Sequence, residues 1–165
     1  MKTIVRPYKW YKDFIFQFQI FTDKSIQYYM FDNIWKTLDY LLPWKYEVKY
    51  ICIMKDQEKM QKVAIAKFTK EINGVYAIAG FVPTNMQNRG LGIYAGIAVI
   101  NHFFRSHPNA IIRSCSYAFN ERAFKTTKCM GFKLNIQDER HYESILTKEF
   151  FDNDFVNKIK ERVGI

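Results

Sequence analysis

Apolar positions recur with two different periods along this chain of 165 residues. In "DFIFQFQIF", Phe14, Phe16, Phe18 and Ile20 alternate with Gln17 and Gln19, a two-residue period that predicts a half-buried strand. Behind Thr22 and Asp23, either of which suits an N-cap, Ile26, Tyr29, Met30, Ile34, Leu38 and Leu41 follow helical spacing until Pro43. "YEVKYICIM" and "KVAIAKFT" predict strands joined by the polar "KDQEKMQ", and Asn73-Gly74 predicts a tight hairpin into "VYAIAGFV". A helix from about Leu91 to Arg105 then carries Ile93, Ile97, Ile100 and Phe104 along one stripe. After the break at "HPNA", "IIRSCSYAF" reads as a strand and "NERAFKTTKCM" as a short helix ended by Gly131. "FKLNIQDE" and "HYESILTKEF" read as a closing pair of strands, with an amphipathic tail helix behind them.

This order predicts one α/β domain with a mixed sheet over residues 1–165: a strand and helical layer (1–45), a sheet-rich centre (46–133) and closing strands with a tail helix (134–165). Hydrophobic residues make up 48% and charged residues 25%, the balance of a globular chain rather than a disordered one. No segment has the roughly 18 uninterrupted apolar residues of a membrane span, and "MKTIVRPYKWYKDF" lacks the apolar centre of a signal peptide. A cytoplasmic protein with no membrane partner is the expectation. Cys52, Cys115 and Cys129 match neither a disulfide framework nor a zinc site, so they read as reduced thiols, and no metal is implied.

The net charge of +9 is unevenly spread. From Gly80 to Lys133 seven Lys and Arg face Glu121 alone, and that stretch contains "NRGLG". A strand that turns sharply into a helix leaves several N–H groups pointing at one place, where phosphate is the natural guest. Gly90 and Gly92 let the backbone turn tightly and approach a bulky pyrophosphate, and Arg89 adds positive charge. The spacing is not that of a Walker A loop, since no lysine follows Gly92, nor of the dinucleotide fingerprint, whose third glycine is displaced by one position to Gly96.

Gln87-Asn88-Arg89-Gly90-Leu91-Gly92 resembles the Q/R-x-x-G-x-G/A pyrophosphate loop of the Gcn5-related N-acetyltransferase superfamily. A second element, Asn120 and Ala123 followed by Gly131 and Phe132, is similar to that family's N-x-x-A…G-F signature. The likeness covers roughly residues 46–150. It implies a mixed, mostly antiparallel sheet flanked by helices, with a splayed strand pair forming an acyl-coenzyme A cleft. It also implies transfer of an acetyl group from acetyl-coenzyme A to a primary amine of a small molecule or peptide in a ternary complex, with residues 1–45 on the acceptor side. By this resemblance the main chain at Phe81 and Val82 pairs with the pantetheine arm. Gln87, Asn88, Arg89, Gly90, Leu91, Gly92 and Ile93 hold the pyrophosphate, and Asn120 and Ala123 line the thiol and adenine side.

The proton-transfer groups are less legible. Where many family members carry a tyrosine acid, seven residues after the asparagine, this chain has Thr127, a far weaker acid than a phenol. Tyr117 is a second candidate acid. Glu143, beside His141 on the penultimate segment, is the candidate base, with Glu71 a further option; His102 and His107 have no readable partner. Tyr28, Tyr29, Trp35, Tyr40 and Trp44 suit an aromatic acceptor pocket, and Asp138, Glu139 and Glu143 suit a cationic amine. Three alternatives stay open: a longer acyl group, a non-catalytic acyl-coenzyme A sensor, and a basic nucleic-acid binder using "RPYKWYK", the last disfavoured because so few aromatics interleave with cations. A homodimer is also allowed.

Overall fold

The computed structural model describes residues 2–30, 48–56 and 59–165. Its strands are β1 (Thr3–Pro7), β2 (Val48–Asp56), β3 (Lys59–Lys70), β4 (Val75–Phe81), β5 (Ile111–Tyr117), β6 (Lys133–Gln137) and β7 (His141–Leu146). The helices are α1 (Trp10–Thr22), α2 (Lys24–Met30), α3 (Leu91–Ser106), α4 (Glu121–Cys129), α5 (Lys148–Phe151) and α6 (Asp154–Val163). The strands form one sheet in the order β1-β2-β3-β4-β5-β7-β6, antiparallel throughout except for the β4–β5 pair. The later part of the predicted helix, with Ile34, Leu38 and Leu41, lies outside the described residues, as do Trp35, Tyr40 and Trp44.

The alternating "DFIFQFQIF" is not a strand; it lies within helix α1, and the first strand is the earlier Thr3–Pro7. The helix is cryptic because its inward stripe is half polar. Asp13, Gln17, Ile20 and Phe21 are buried at helical spacing, while Trp10, Tyr11, Phe14, Ile15 and Phe18 face out. Asp13 accepts from the Lys9 amide at 2.8 Å, from both Arg6 guanidinium nitrogens at 2.7 Å, and pairs with Lys62 at 2.8 Å. Burial would raise its carboxyl, but these hydrogen bonds outweigh burial and bring it down to about 2. Below α1, Lys49 donates to Gln17 at 3.2 Å; burial draws its ammonium down to about 8, and draws that of Lys67, with Lys49 near it, down to about 5.

The other elements follow their patterns. Asn73 and Gly74 both take positive φ, 58° and 75°, as a type I′ hairpin demands, and they join β3 to β4. Helix α3 is nearly apolar and packs on one sheet face, with Phe103 stacked 4.0 Å from Phe68. Helices α1 and α2 cover the other face, where Ile20, Phe21 and Ile26 meet Ile51, Ile65 and Phe81. The closing segment "HYESILTKEF" is a strand only as far as Leu146; Thr147 then caps α5 by accepting from the Phe150 amide.

Asp13 is fully buried while Arg6 and Lys62 keep about a quarter of their side chains in solvent, so Asp13→Asn is expected to cost about 2–3 kcal/mol at neutral pH in urea unfolding. The carboxyl ionises at about 2 in the folded chain and near 3.9 when unfolded. Its contribution is therefore complete above roughly pH 4 and lost as pH falls through about 2, so the gap between wild type and variant narrows over that interval. A gap that stays constant down to about pH 2 contradicts the assignment.

Candidate active site

The sheet parts at its centre. Val75, Tyr76 and Ala77 pair with Ile111, Ile112 and Arg113, and there the β4–β5 ladder stops. Ile78 to Phe81 keep their β3 partners but have none on β5, so one edge of β4 opens into a cavity of about 710 Å³. The point of parting is braced by Arg113. Its Nε donates to Glu71 at 2.9 Å and its Nη2 to the other Glu71 oxygen, while Nη1 donates to Glu143 at 3.0 Å. One guanidinium thus ties the β3–β4 turn, β5 and β7 together, and its hydrogen bonds hold the Glu71 carboxyl below its usual range.

Beyond Phe81 a short 3₁₀ turn, Thr84–Met86, leads into the glycine loop. Asn88 and Gly90 take positive φ, 62° and 74°, which bends the chain so that Gly90 becomes the N-cap of α3. The Gly90 carbonyl accepts from Ile93 and Tyr94, and among the described residues no acceptor meets the amides of Gly90, Leu91 and Gly92. Those donors stand at the positive end of a helix of 16 residues. The Gln87 side chain holds the loop in place: its amide nitrogen donates to the Val82 carbonyl at 3.0 Å, and its oxygen accepts from Arg122 at 2.9 Å.

Of the residues singled out from sequence, Phe81, Val82, Gln87, Asn88, Gly90, Gly92, Ile93, Asn120, Ala123 and Thr127 line the cavity. Arg89 and Leu91 do not; the Leu91 side chain turns into the core, although its amide stays at the helix start. Asn120 caps α4, accepting from the Ala123 amide at 3.1 Å. Gly131 has a packing origin: with φ at 92°, a Cβ there would lie 2.5 Å from the Phe150 carbonyl oxygen. Thr127 turns its hydroxyl back to the helix carbonyls of Phe124, at 2.9 Å, and Ala123, at 3.1 Å. Tyr117 and Glu143 do not line the cavity. Tyr117 stacks on Phe119, and Glu143 accepts from Arg113 and from Asn135. His102 packs against Tyr50 and His107 on Phe103.

Three lining groups escaped the sequence reading. Arg122 brings a cation to the first turn of α4, Ser25 hydrogen-bonds Thr84 at 2.8 Å and joins α2 to the loop, and Cys115 lies on β5 where it leaves β4. The position of Arg122 one turn into the capped helix is a usable signal; the Ser25–Thr84 contact, 59 residues apart, leaves none.

No family model matches the chain, and no curated protein sequence does. Solved structures do. An acetyltransferase of the GNAT family from Bacillus anthracis superposes with a TM-score of 0.70 at 14% identity, over 90% of this chain and 96% of that one. The aminoglycoside acetyltransferase AAC(6')-Ib, solved with coenzyme A and kanamycin, gives 0.69 at 14% over 92% and 98%. A chimera of the spermidine N-acetyltransferase SpeG from Vibrio cholerae gives 0.68 at 10% over 93% and 100%. The chain has the Gcn5-related N-acetyltransferase fold.

Cys115 offers a chemical probe of the gap. In a Cys129→Ser background, a maleimide is expected to label Cys115 stoichiometrically in the folded chain while the buried Cys52 stays unlabelled, and Cys115→Ser should abolish the labelling. A Cys115 that resists labelling until the chain is unfolded contradicts the open gap beside β5.

Proposed function

We propose that this chain transfers an acetyl group from acetyl-coenzyme A directly to a primary amine. The observation that carries the reading is the conjunction of unpartnered amides at Gly90–Gly92 with an open β4 edge that leads away from them. The amides and the α3 dipole suit a pyrophosphate, and the edge of β4 beyond Ala77, where the β5 ladder has stopped, suits the amide groups of a pantetheine arm added like a strand. Arg122 supplies further positive charge.

The chemistry then rests on position. The amine nitrogen attacks the thioester carbonyl, the C–N bond forms and the C–S bond breaks. Coenzyme A leaves as its thiolate, and the proton of the new ammonium passes to water. Thr127 has its hydroxyl proton directed into its own helix, Tyr117 stands outside the cavity, and Glu71 and Glu143 both accept hydrogen bonds from Arg113 away from the cavity lining, so none of the four is poised as acid or base. Holding two reactants in line accounts for large accelerations without them. The same engagement of these side chains favours one second reading, an acyl-coenzyme A sensor without turnover.

Calorimetric titration with acetyl-coenzyme A and desulfo-coenzyme A tests the donor site. Micromolar binding is expected, weakened on the order of 100-fold or more in Gly90→Asp, whose carboxylate would face the phosphates. Undiminished binding by that variant contradicts the loop assignment. Binding without thiol release over a broad panel of amines selects the sensor. If turnover is found, kcat/KM should rise with pH along one limb that follows the acceptor amine, and Thr127→Ala should stay within about twofold of wild type. An additional limb that disappears in Glu143→Gln would instead identify a protein base.

A further inference from the structure

Helix α1 reverses the usual polarity of a surface helix. Asp13 and Gln17 are among its buried positions, while Trp10, Tyr11, Phe14, Ile15 and Phe18 face out across roughly 140° of its circumference. Ile15 is 72% exposed, Trp10 66% and Tyr11 64%, and Phe14 and Phe18 stand nearly half in solvent. Trp10 meets Tyr11 edge to face and Phe14 stacks on Phe18, so these rings brace one another along the helix. Ile4, which shares with Arg6 the face of β1 that α1 covers, is exposed as well. The four outward rings and Ile15 present on the order of 500 Å² of apolar surface, as much as the largest patch on most monomers. The charges around it have one sign. Lys9 and Lys12 are exposed at its start, with the Lys12 ammonium 5.8 Å from the centre of the Tyr11 ring, and Lys24 is exposed just past its end. The two carboxylates of residues 2–30 are engaged elsewhere: Asp13 is buried with Arg6 and Lys62, and Asp23 accepts from Ser25.

We propose that this face of α1 docks on an anionic lipid surface, the rings and Ile15 entering the headgroup boundary while Lys9, Lys12 and Lys24 meet lipid phosphates. Tryptophan and tyrosine, with apolar bodies and a polar tip, suit that boundary, and lysine stems lie along apolar surface while their ammonium groups stay in the polar layer. No described helix is long and apolar enough to cross a membrane, and a helix lying in the interface needs one apolar face only. The chain's charge of +9 draws it toward anionic surfaces in general. A second copy of the chain serves this face less well. Across a two-fold axis the lysines would meet the same engaged carboxylates, and the patch falls short of the roughly 800 Å² that each partner gives to a standard interface. The inference stands apart from the acetyl-transfer reading, since α1 presents this face away from the sheet.

Co-sedimentation of the full chain with vesicles of phosphatidylcholine, and of phosphatidylcholine mixed with phosphatidylglycerol, tests the proposal. Binding to the mixed vesicles is expected to exceed that to neutral ones on the order of 100-fold at low salt, the effect of three lysines at a charged surface, and to weaken as salt is added. Ile15→Glu should weaken it by about tenfold or more and Ile15→Leu should retain it; both positions are exposed, so the far-UV circular dichroism and the urea midpoint should match wild type. Trp10 should report the contact as a blue shift of its fluorescence on mixed vesicles, and that shift should be lost in Trp10→Phe. No binding to mixed vesicles, equal binding to neutral ones, or undiminished binding by folded Ile15→Glu overturns the proposal. A chain that ignores vesicles but sediments as a dimer, and becomes monomeric in Ile15→Glu, overturns it in favour of a second copy on the same face.

Discussion

Everything at the candidate site depends on where the β4–β5 ladder ends. Parallel pairing normally continues until a strand runs out, because an abandoned edge leaves backbone donors and acceptors to solvent. Here it ends after Ala77 and Arg113, with four residues of β4 still to come. The parting is stabilised on its closed side by Arg113, which holds carboxylates from two further segments. It is propped on its open side by α3, whose start is joined to the end of β4 by Gln87. The brace has a chemical consequence. The guanidinium stabilises the Glu71 carboxylate in its charged form and makes it a poorer proton acceptor, so Glu71, which shapes the gap, is unsuited to act as a base in it.

The parts of this arrangement legible in the sequence were those encoded by local backbone geometry. The Asn73-Gly74 turn, the tight bend at Gly90 and the stop at Gly131 each need a particular residue type at a particular position, and each stands where the sequence predicts it. Helix α1 was not legible. Its inward stripe includes Asp13 and Gln17, whose partners Arg6, Lys49 and Lys62 come from three different strands, so the aromatic alternation of the outward face suggested a strand instead. The same limit applied to the acid and base candidates. Thr127, Tyr117 and Glu143 carry suitable groups, but the atoms that occupy those groups are a helix carbonyl, a neighbouring ring and an arginine from another strand.

The glycine-loop end of the cavity is polar and cationic, built from amides and Arg122, and the one lining carboxylate among the described residues, Glu121, is paired with Lys125. In the proposed reaction a multiply charged donor is held by backbone groups, which cannot be titrated away.

Backbone NMR of the labelled chain during titration with coenzyme A addresses the central claim most directly, because it reports on the amides themselves. The account predicts that the largest shift changes fall on Gly90, Leu91 and Gly92 and on the stretch of β4 from Ile78 to Phe81 beyond the β5 ladder, with the Asn73-Gly74 turn and the tail helix undisturbed. Saturable changes that gather on the exposed face of α1, with the glycine loop unaffected, would contradict it.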